Sequence, residues 1–283
     1  MSAPFKRILL ATEGTEFDSG AERVGIELAA GCGVPLMAVL PLVSNPEYES
    51  LAPERAEQDE AEAAAKIDKL RQTALSRGVR LDGTVRLGEE PFREIVDEAH
   101  ARNADLMVLR RRGKRSYLAN LLLGEMVHTI TGHAPCDVLI VPRAAQLWKQ
   151  AIVLATDGSP HSERAAVVAA ALAVEYSLPL TVVSVGGGGG GATTDDSAAK
   201  AVAQALAIVR AAGAQAIGHV VADGKPYDAI LAAVQDTAAD LIVIGRRGLN
   251  RIERILLGST SEQVASHANC PVLIVRPAAA TVG

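Results

Sequence analysis

Hydrophobic positions along this chain come in short runs of Val, Ile and Leu that alternate with longer stretches of helical periodicity. The runs lie at 7–11, 36–40, 79–86, 105–109 and 138–141 in the first half, and at 151–155, 180–185, 215–221, 240–244 and 272–275 in the second. Such near-continuous apolar runs indicate strands that are buried on both faces. Between the runs, stretches such as 200–213 place Val202, Leu206 and Val209 at helical spacing. Alternating strands and helices predict an α/β fold whose helices cover a parallel sheet.

The same order of elements occurs twice. "KRILLATEGT" near the start of the chain matches "QAIVLATDGS" 144 residues later, and "CDVLIVPR" matches "CPVLIVRP" 134 residues later. An internal repeat of this length indicates duplicated domains. We therefore predict two doubly wound, five-stranded parallel-sheet domains in tandem, at 1–145 and 146–283, with the boundary inside 142–149.

The composition limits the classes of protein to which this chain can belong. Of the 283 residues 49% are hydrophobic but only 3% aromatic, which predicts an aliphatic core, and the net charge of −5 offers no basic face for nucleic acid. The apolar stretch 165–174 is too short to span a membrane, and the N-terminal apolar run is too short for a secretion signal. Cys32, Cys136 and Cys270 lack metal-ligand spacing. They predict reduced, mostly buried thiols and a cytoplasmic location.

In the second half, a glycine-rich element follows the fourth strand directly. Gly245 and Gly248 lack a Cβ atom, so the backbone there can approach a ligand closely. Nine residues separate Gly248 from Gly258, where a predicted helix begins. The first amides of this helix, at Gly258, Ser259 and Thr260, have no intrahelical partner and carry the positive end of the helix dipole. This arrangement predicts an anion site.

Side chains around this element add to the predicted phosphate site. The hydroxyls of Ser259, Thr260 and Ser261 are further donors, and Arg246 and Arg247 offer charge-assisted contacts to phosphate. The alternative is a helix N-cap at Ser259 with incidental glycines in a loop, because short glycine motifs are common.

A carboxylate is predicted beside the same element. Ala155, Thr156 and Asp157 close the first strand of the second half, next to the fourth-strand loop in a doubly wound sheet. Asp157 at this place can accept hydrogen bonds from ribose hydroxyls, or hold a metal ion that bridges phosphates. The alternative is a turn residue within "TDG".

The glycine spacing Gly245, Gly248, Gly258, together with "ATDGS" at 155–159, "GKP" at 224–226 and "CPVLIV" at 270–275, resembles the universal stress protein family. The resemblance covers nearly the whole chain as two tandem domains. It implies a flavodoxin-like fold of the adenine nucleotide alpha hydrolase-like kind, and binding of ATP with Mg²⁺ or Mn²⁺. It also implies that the two fifth strands pair, which makes the chain an intrachain pseudo-dimer.

The same resemblance implies a role for each matching residue of the second half. Asp157 meets the ribose side and, weakly, magnesium through the phosphates, while Val185 and Ile244 flank adenine. The residues implied to cradle the phosphates are Gly245, Arg246, Gly248, Gly258, Ser259, Thr260 and Ser261.

The first half departs from this pattern. Arg110 replaces the first glycine, Glu125 replaces the serine, Glu13 replaces the aspartate, and Pro41 stands at the position of Val185. Arg110 fills space that phosphates need, and Glu125 brings negative charge to the helix start, so we predict no nucleotide there. One hypothesis is that Glu125 occupies the vacated phosphate site, paired with Arg110 or Arg111 and favoured by the helix dipole. The alternative is drift in an unused site.

The leading functional prediction is a regulatory ATP-binding protein of the stress response, which acts through nucleotide-dependent contacts with partner proteins and has one nucleotide site per chain. A slow ATPase or a phosphoryl- or nucleotidyl-transfer enzyme, with Asp157 or His219 as the base, is an alternative. A nucleotide-free scaffold is another. The run 186–191 of six glycines, next to the predicted adenine edge, is interpreted as a linker or as a flap over the nucleotide.

Overall fold

Two compact units make up the chain. The computed structural model describes residues 4–111, 124–186, 192–246, 248 and 257–277. Within these ranges the N-terminal unit comprises residues 5–111 and 124–147, and the C-terminal unit begins at Trp148. Arg247 and five of the six glycines of the run 186–191 lie outside the described residues.

The N-terminal unit is a parallel sheet whose strands follow the order β3-β2-β1-β4-β5. Its strands are β1 (Ile8–Ala11), β2 (Leu36–Val43), β3 (Leu81–Gly88), β4 (Leu106–Arg110) and β5 (Asp137–Val141). Its helices are α1 (Ser19–Cys32), α2 (Pro46–Leu51), α3 (Pro53–Ser76), α4 (Pro91–Ala101) and α5 (Glu125–His133).

The C-terminal unit repeats this topology, with the order β8-β7-β6-β9-β10. Its strands are β6 (Ile152–Ala155), β7 (Leu180–Val185), β8 (Ala216–Val221), β9 (Leu241–Gly245) and β10 (Val272–Val275). Its helices are α6 (Pro160–Glu175), α7 (Ala192–Ala211), α8 (Pro226–Asp236) and α9 (Ser259–His267). The predicted fold class, two doubly wound five-stranded parallel sheets in tandem, is confirmed.

Burial follows the position of each strand in its sheet. Every residue of the inner strands β6 and β9 is buried, as the apolar runs predict. β8 differs because it is an outer strand of its sheet, and its Ile217 is 63% exposed. Among the helices of the described ranges, none combines the length and apolarity that crossing a membrane requires.

One aspartate in each unit fastens the start of the first strand to the fourth. Asp240, just before β9, accepts hydrogen bonds from the backbone amides of Lys149, Gln150 and Ala151 at 2.6 to 3.2 Å. Asp105, just before β4, accepts from the amides of the residues that precede β1, at 2.9 and 3.0 Å. Because these amides precede a strand, the carboxylates satisfy donors that the sheet leaves open.

The register of the sheet opens a gap above the first strand of each unit. β6 ends at Ala155, which pairs with Val183 and Ile244, whereas β7 continues for two further residues to Val185. The strand order reverses at β6, so this gap is the switch point at which ligands bind in open α/β sheets.

Candidate functional site

The loop that follows β6 is held in place by its own side chains. Asp157 Oδ1 accepts a hydrogen bond from the Ser159 amide at 3.0 Å, and Thr156 donates from its hydroxyl to Ser162 Oγ at 3.1 Å. Ser159 caps α6, because its hydroxyl accepts from the Ser162 amide at 3.3 Å and Pro160 follows as the first helical residue. The loop therefore presents Asp157 in one fixed orientation at the end of the strand.

The loop after β9 lies directly against Asp157. A Cβ atom placed on Gly248 would lie 2.5 Å from Asp157 Oδ2, and one on Gly245 would lie 3.1 Å from the backbone carbonyl of His161. Real Cβ atoms almost never come closer than 3.0 Å to a neighbouring atom. The structure thus brings the aspartate and the glycine-rich element together, and Gly248 cannot be replaced without moving the carboxylate.

Helix α9 begins beside this contact. Gly258 is its N-cap, and the amides of Ser259 and Thr260 donate no hydrogen bond within the described residues. Two predicted donors have other partners: the Gly258 amide donates to the Arg246 carbonyl at 2.9 Å, and the buried Ser261 hydroxyl donates to the Gly245 carbonyl at 2.8 Å. These bonds tie the start of α9 to the end of β9.

The remaining predicted residues flank the gap. Val185 is half-buried at the end of β7, and Ile244 is buried in β9. The Arg246 amide donates to the Val275 carbonyl at 2.8 Å, which extends the ladder between β9 and β10 by one residue. Nowhere in the described ranges do three or more His, Cys, Asp or Glu side chains converge as a metal site.

The equivalent place in the N-terminal unit is filled by an ion-pair network. Arg110 stands at the end of β4, where β9 has Gly245, and its side chain is 11% exposed. Its Nη2 lies 2.7 Å from Glu13 Oε2, and its Nη1 lies 3.0 Å from Asp18 Oδ2. Nη1 also donates to the Thr15 hydroxyl at 3.0 Å. The guanidinium therefore links the residues that follow β1 to the end of β4.

Asp18, the buried member of this network, was missed by the sequence analysis. Its side chain is 1% exposed, and 92 residues separate it from Arg110. Ser162 stands at the same position of the C-terminal unit, 144 residues later. Alignment of the two copies would have found it. Where the second copy has Gly245 and Ser162, the first has Arg110 and Asp18, so an added positive charge is accompanied by an added negative charge.

The hypothesis that Glu125 pairs with Arg110 is wrong. Glu125 is the first residue of α5 and is exposed, while the Arg110 guanidinium is bound to Glu13 and Asp18. A carboxylate in the first turn still interacts favourably with the helix dipole. Behind the same loop, burial raises the pKa of Glu22, against the opposing effect of the hydrogen bond it accepts from Thr12.

A cavity of about 620 Å³ also opens in the N-terminal unit. Its wall is made by the last residues of β2 and those that follow, by the loop after β1, and by residues of α3, α4 and α5. The lining is mostly apolar. It comprises Glu13, Thr15, Leu40, Pro41, Leu42, Val43, Ser44, Asn45, Asp59, Lys66, Pro91 and Met126.

The fold and these loops define a class: tandem doubly wound α/β domains with a glycine-rich loop and a helix N-terminus at the switch point of the second. Comparison with known proteins gives the family. The model of the universal stress protein family matches residues 4–142 and, a second time, residues 149–276. The chain therefore belongs to the universal stress protein family.

Individual relatives agree with this assignment. A universal stress protein of Thermus aquaticus is 38% identical over 133 residues, which is 44% of this chain and 97% of that protein. The crystal structure of a universal stress protein from Archaeoglobus fulgidus DSM 4304 matches with a TM-score of 0.76 over 98% of this chain and 100% of that one, at 20% identity. At that identity the match shows the shared fold.

Proposed function

We propose that the C-terminal unit binds ATP and the N-terminal unit does not, so that the chain carries one nucleotide and serves in the stress response. The observation that carries this proposal is the contact between Gly248 and Asp157 beside the start of α9, where the amides of Ser259 and Thr260 donate no hydrogen bond to the described part of the chain. In the N-terminal unit, Arg110 and its two carboxylates fill the corresponding space. The two units thus differ at equivalent positions, because β4 ends in Arg110 and β9 ends in Gly245.

The proposed roles follow from the chemistry of each group. Asp157 accepts from the ribose hydroxyls, and Val185 and Ile244 flank adenine above the end of β6. The amides of Ser259 and Thr260 face the phosphates, since helix N-termini favour anions. The other proposed phosphate contacts are made by the backbone of Gly245, Gly248 and Gly258, by the Ser259 and Thr260 hydroxyls, by the amide of Ser261, and by Arg246 and Arg247.

A divalent cation, Mg²⁺ or Mn²⁺, is proposed to enter with the nucleotide. Asp157 is the one predicted protein ligand, and the phosphates would supply the other oxygens, as is usual for Mg²⁺. Its Oδ1 accepts a hydrogen bond from the Ser159 amide, and its Oδ2 faces Gly248.

We further propose that binding is regulatory, through nucleotide-dependent contacts with partner proteins in the cytoplasm. The candidate bases are poorly placed for turnover: Asp157 is oriented by Ser159, and His219 is exposed on the outer strand β8, separated by β7 from β6. None of the three cysteines, all of which lie in the described ranges, forms a disulfide.

The test is equilibrium binding of ATP with Mg²⁺ to the full chain, measured by calorimetry. We expect one ATP per chain. In Gly248→Val the new Cβ displaces the Asp157 carboxylate, and we expect affinity to fall at least about tenfold, a loss of roughly 1.4 kcal/mol. The matched control is Gly113→Val, at the corresponding sequence position of the first copy, which should bind as the wild type does.

Two results would contradict the proposal. Two ATP molecules per chain would mean that the N-terminal unit also binds nucleotide. Equal affinity of Gly248→Val and wild type would place the site elsewhere. Release of ADP during the titration, lost in Asp157→Ala, would favour the enzyme alternative.

A further inference from the structure

The outer strand of the C-terminal unit has a neighbouring strand on one side only. β8 pairs with β7, and no other strand of the described ranges lies on its far side. The backbone groups of successive residues in such a strand point alternately to its two sides. The Val221 carbonyl accepts a hydrogen bond from the Gly186 amide, which follows β7, so Val221 faces β7. The backbone groups of Ala216, Gly218 and Val220 therefore point to the open edge.

β8 lacks the charges that protect the outer strand of the N-terminal unit. β3 carries Asp82 and Arg86, and Arg86 forms an ion pair with Glu94 of α4 at 2.8 Å. Charged side chains are a usual means by which proteins keep edge strands from pairing. At the equivalent positions, 135 residues later, β8 has Ile217 and Val221. No residue of β8 is charged.

The apolar side chains of β8 are open to solvent. Ile217 is 63% exposed and Val220 is 41% exposed. Ala229 and Ala233 of α8 stand where α4 has two glutamates, and their short side chains leave Ile217 uncovered. An exposed, uncharged and apolar edge strand is a template for pairing with another strand.

Charges at the two ends of β8 indicate which strand fits. Arg210, at the end of α7, lies at the start of β8, where its guanidinium donates to the Ala216 carbonyl at 3.1 Å. Asp223 follows the end of β8 and is exposed. In an antiparallel pair of identical strands the start of one lies beside the end of the other, so each Arg210 meets the Asp223 of a second molecule. A parallel pair would bring like charges together. β8 is therefore complementary in charge to itself in the antiparallel direction only.

The hydrogen bond of Arg210 also favours one register. Because the Ala216 carbonyl already accepts from Arg210, the residues best placed to bond a further strand are Gly218 and Val220. If Gly218 exchanges both backbone hydrogen bonds with Val220 of the second molecule, and the reverse, four bonds form about a twofold axis. Val220 then packs over a glycine, which has no side chain in its way.

We propose that two molecules of this chain associate through their β8 strands, which pair antiparallel about a twofold axis at His219. In this register each Ile217 lies opposite the Val221 of the second molecule. A contact that uses the same surface twice closes at two molecules, so association stops at a dimer. The surface is separate from the ATP site proposed above, and either proposal can fail while the other stands.

The first test is cysteine cross-linking of the full chain in a Cys32→Ser background, because the other two cysteines are buried. His219→Cys places two thiols opposite each other at a non-hydrogen-bonded pair, where the Cα atoms are about 4.5 Å apart and a disulfide can form. Mild oxidation should convert most of this variant to a covalent dimer. Thr84→Cys, at the equivalent position of β3, is the matched control and should stay largely uncross-linked. Ile217→Cys should also stay so, because its opposite residue is Val221.

The second test measures association by sedimentation equilibrium under reducing conditions. Ile217→Lys should raise the Kd of the dimer at least about tenfold, because it brings charge to the edge strand. Arg210→Asp and Asp223→Arg should each weaken the dimer, since each puts like charges together at both ends of the interface. The double variant should recover most of the wild-type affinity, because the ion pairs form again with their signs exchanged. Arg71→Asp, at an exposed residue of α3, is the control and should associate as the wild type does.

Three results would overturn the proposal: a chain that sediments as a monomer at every concentration, His219→Cys that cross-links no faster than Thr84→Cys, or a double charge reversal that associates as weakly as either single one. A monomer would leave the edge to a strand of another protein. Unchanged fluorescence of the buried Trp148 verifies that each variant of the C-terminal unit remains folded. ATP binding is measured on the same samples, so the two proposals are judged separately.

Discussion

Arg110 shows how one buried charge determines the residues around it. A guanidinium that is 11% exposed loses most of its hydration, and that loss has to be offset by carboxylates with good geometry. Glu13 and Asp18 supply them, and Thr15 adds a hydroxyl acceptor. Arg110, Glu13, Asp18 and Thr15 at the switch point of the N-terminal unit are therefore a set of mutually dependent residues.

This dependence predicts a strong effect of removing the arginine alone. Arg110→Ala leaves Asp18, 1% exposed, without its cation, and we expect the N-terminal unit to lose about 3–5 kcal/mol of unfolding free energy. Adding Asp18→Ser should restore a substantial part, with a coupling of more than about 1 kcal/mol. The free energies of unfolding of the single and the double variant are measured by urea unfolding. The reporter is the ¹³C-labelled methyl resonance of Met107, which is buried in β4.

The control is Arg71→Ala, which breaks an exposed pair with Asp68 on α3 and should cost less than about 1 kcal/mol. Equal losses for Arg110→Ala and for the double variant would show that the two residues do not depend on each other.

At the scale of elements, the sequence predicted the strands, because a strand depends mainly on residues that are close together along the chain. All ten predicted strands are present in the described ranges. Periodicity could not predict contacts across long separations. The pairing of Arg110 with Asp18 depends on the finished sheet, and so do the hydrogen bonds that Asp240 accepts from amides about 90 residues earlier.

The features of the candidate site fall into the same two groups, those that local sequence predicts and those that depend on contacts across long separations. The glycine spacing and Asp157 could be read from the sequence, because both are tied to strand ends. The partners of the Ser261 hydroxyl and the Gly258 amide could not, since they depend on how α9 returns to β9. The cavity of the N-terminal unit was also beyond sequence reasoning, because side chains from five separate segments line it.

The fastening of β6 to β9 gives a prediction at this scale. Asp240→Ala removes the acceptor of three amides, and we expect the C-terminal unit to lose roughly 1–3 kcal/mol. Trp148 is the single tryptophan and is 1% exposed beside these amides, so its fluorescence during urea unfolding reports the change.

Asp236→Ala serves as the control, because this aspartate is exposed at the end of α8 and its removal should change stability by less than about 0.5 kcal/mol. If both variants unfold at the same urea concentration, the carboxylate of Asp240 is not what holds the strand.

At the scale of the whole molecule, the two units share a topology, and the strand order creates a switch point in each. At the N-terminal switch point Arg110 binds two carboxylates, whereas the C-terminal unit has Gly245 at the equivalent position. We propose from this difference that the chain responds to nucleotide over a single binding curve, with no statistical factor from a second equivalent site. On this proposal the tandem arrangement does not double the capacity for ATP.

This asymmetry predicts which part of the molecule nucleotide stabilises. At a free ATP concentration 100 times the Kd, the C-terminal unit should gain about 2.7 kcal/mol. Trp148 fluorescence should report the gain in wild type. In Gly248→Val, a tenfold higher Kd lowers the expected gain at the same ATP concentration to about 1.4 kcal/mol, so the Trp148 transition should move about half as far or less. A Met107 transition that moves with ATP as far as that of Trp148 would contradict selective stabilisation.

The Arg110 network also restricts the mutational routes between the two kinds of unit. Reverting Arg110 to glycine by itself leaves two carboxylates, one of them buried, facing each other without a cation. Introducing an arginine at Gly245 by itself would bury a cation beside Ser162, which carries no charge. Either single change leaves a charge unpaired in a buried place and should destabilise its unit, so a stable route between the two kinds of unit requires paired substitutions.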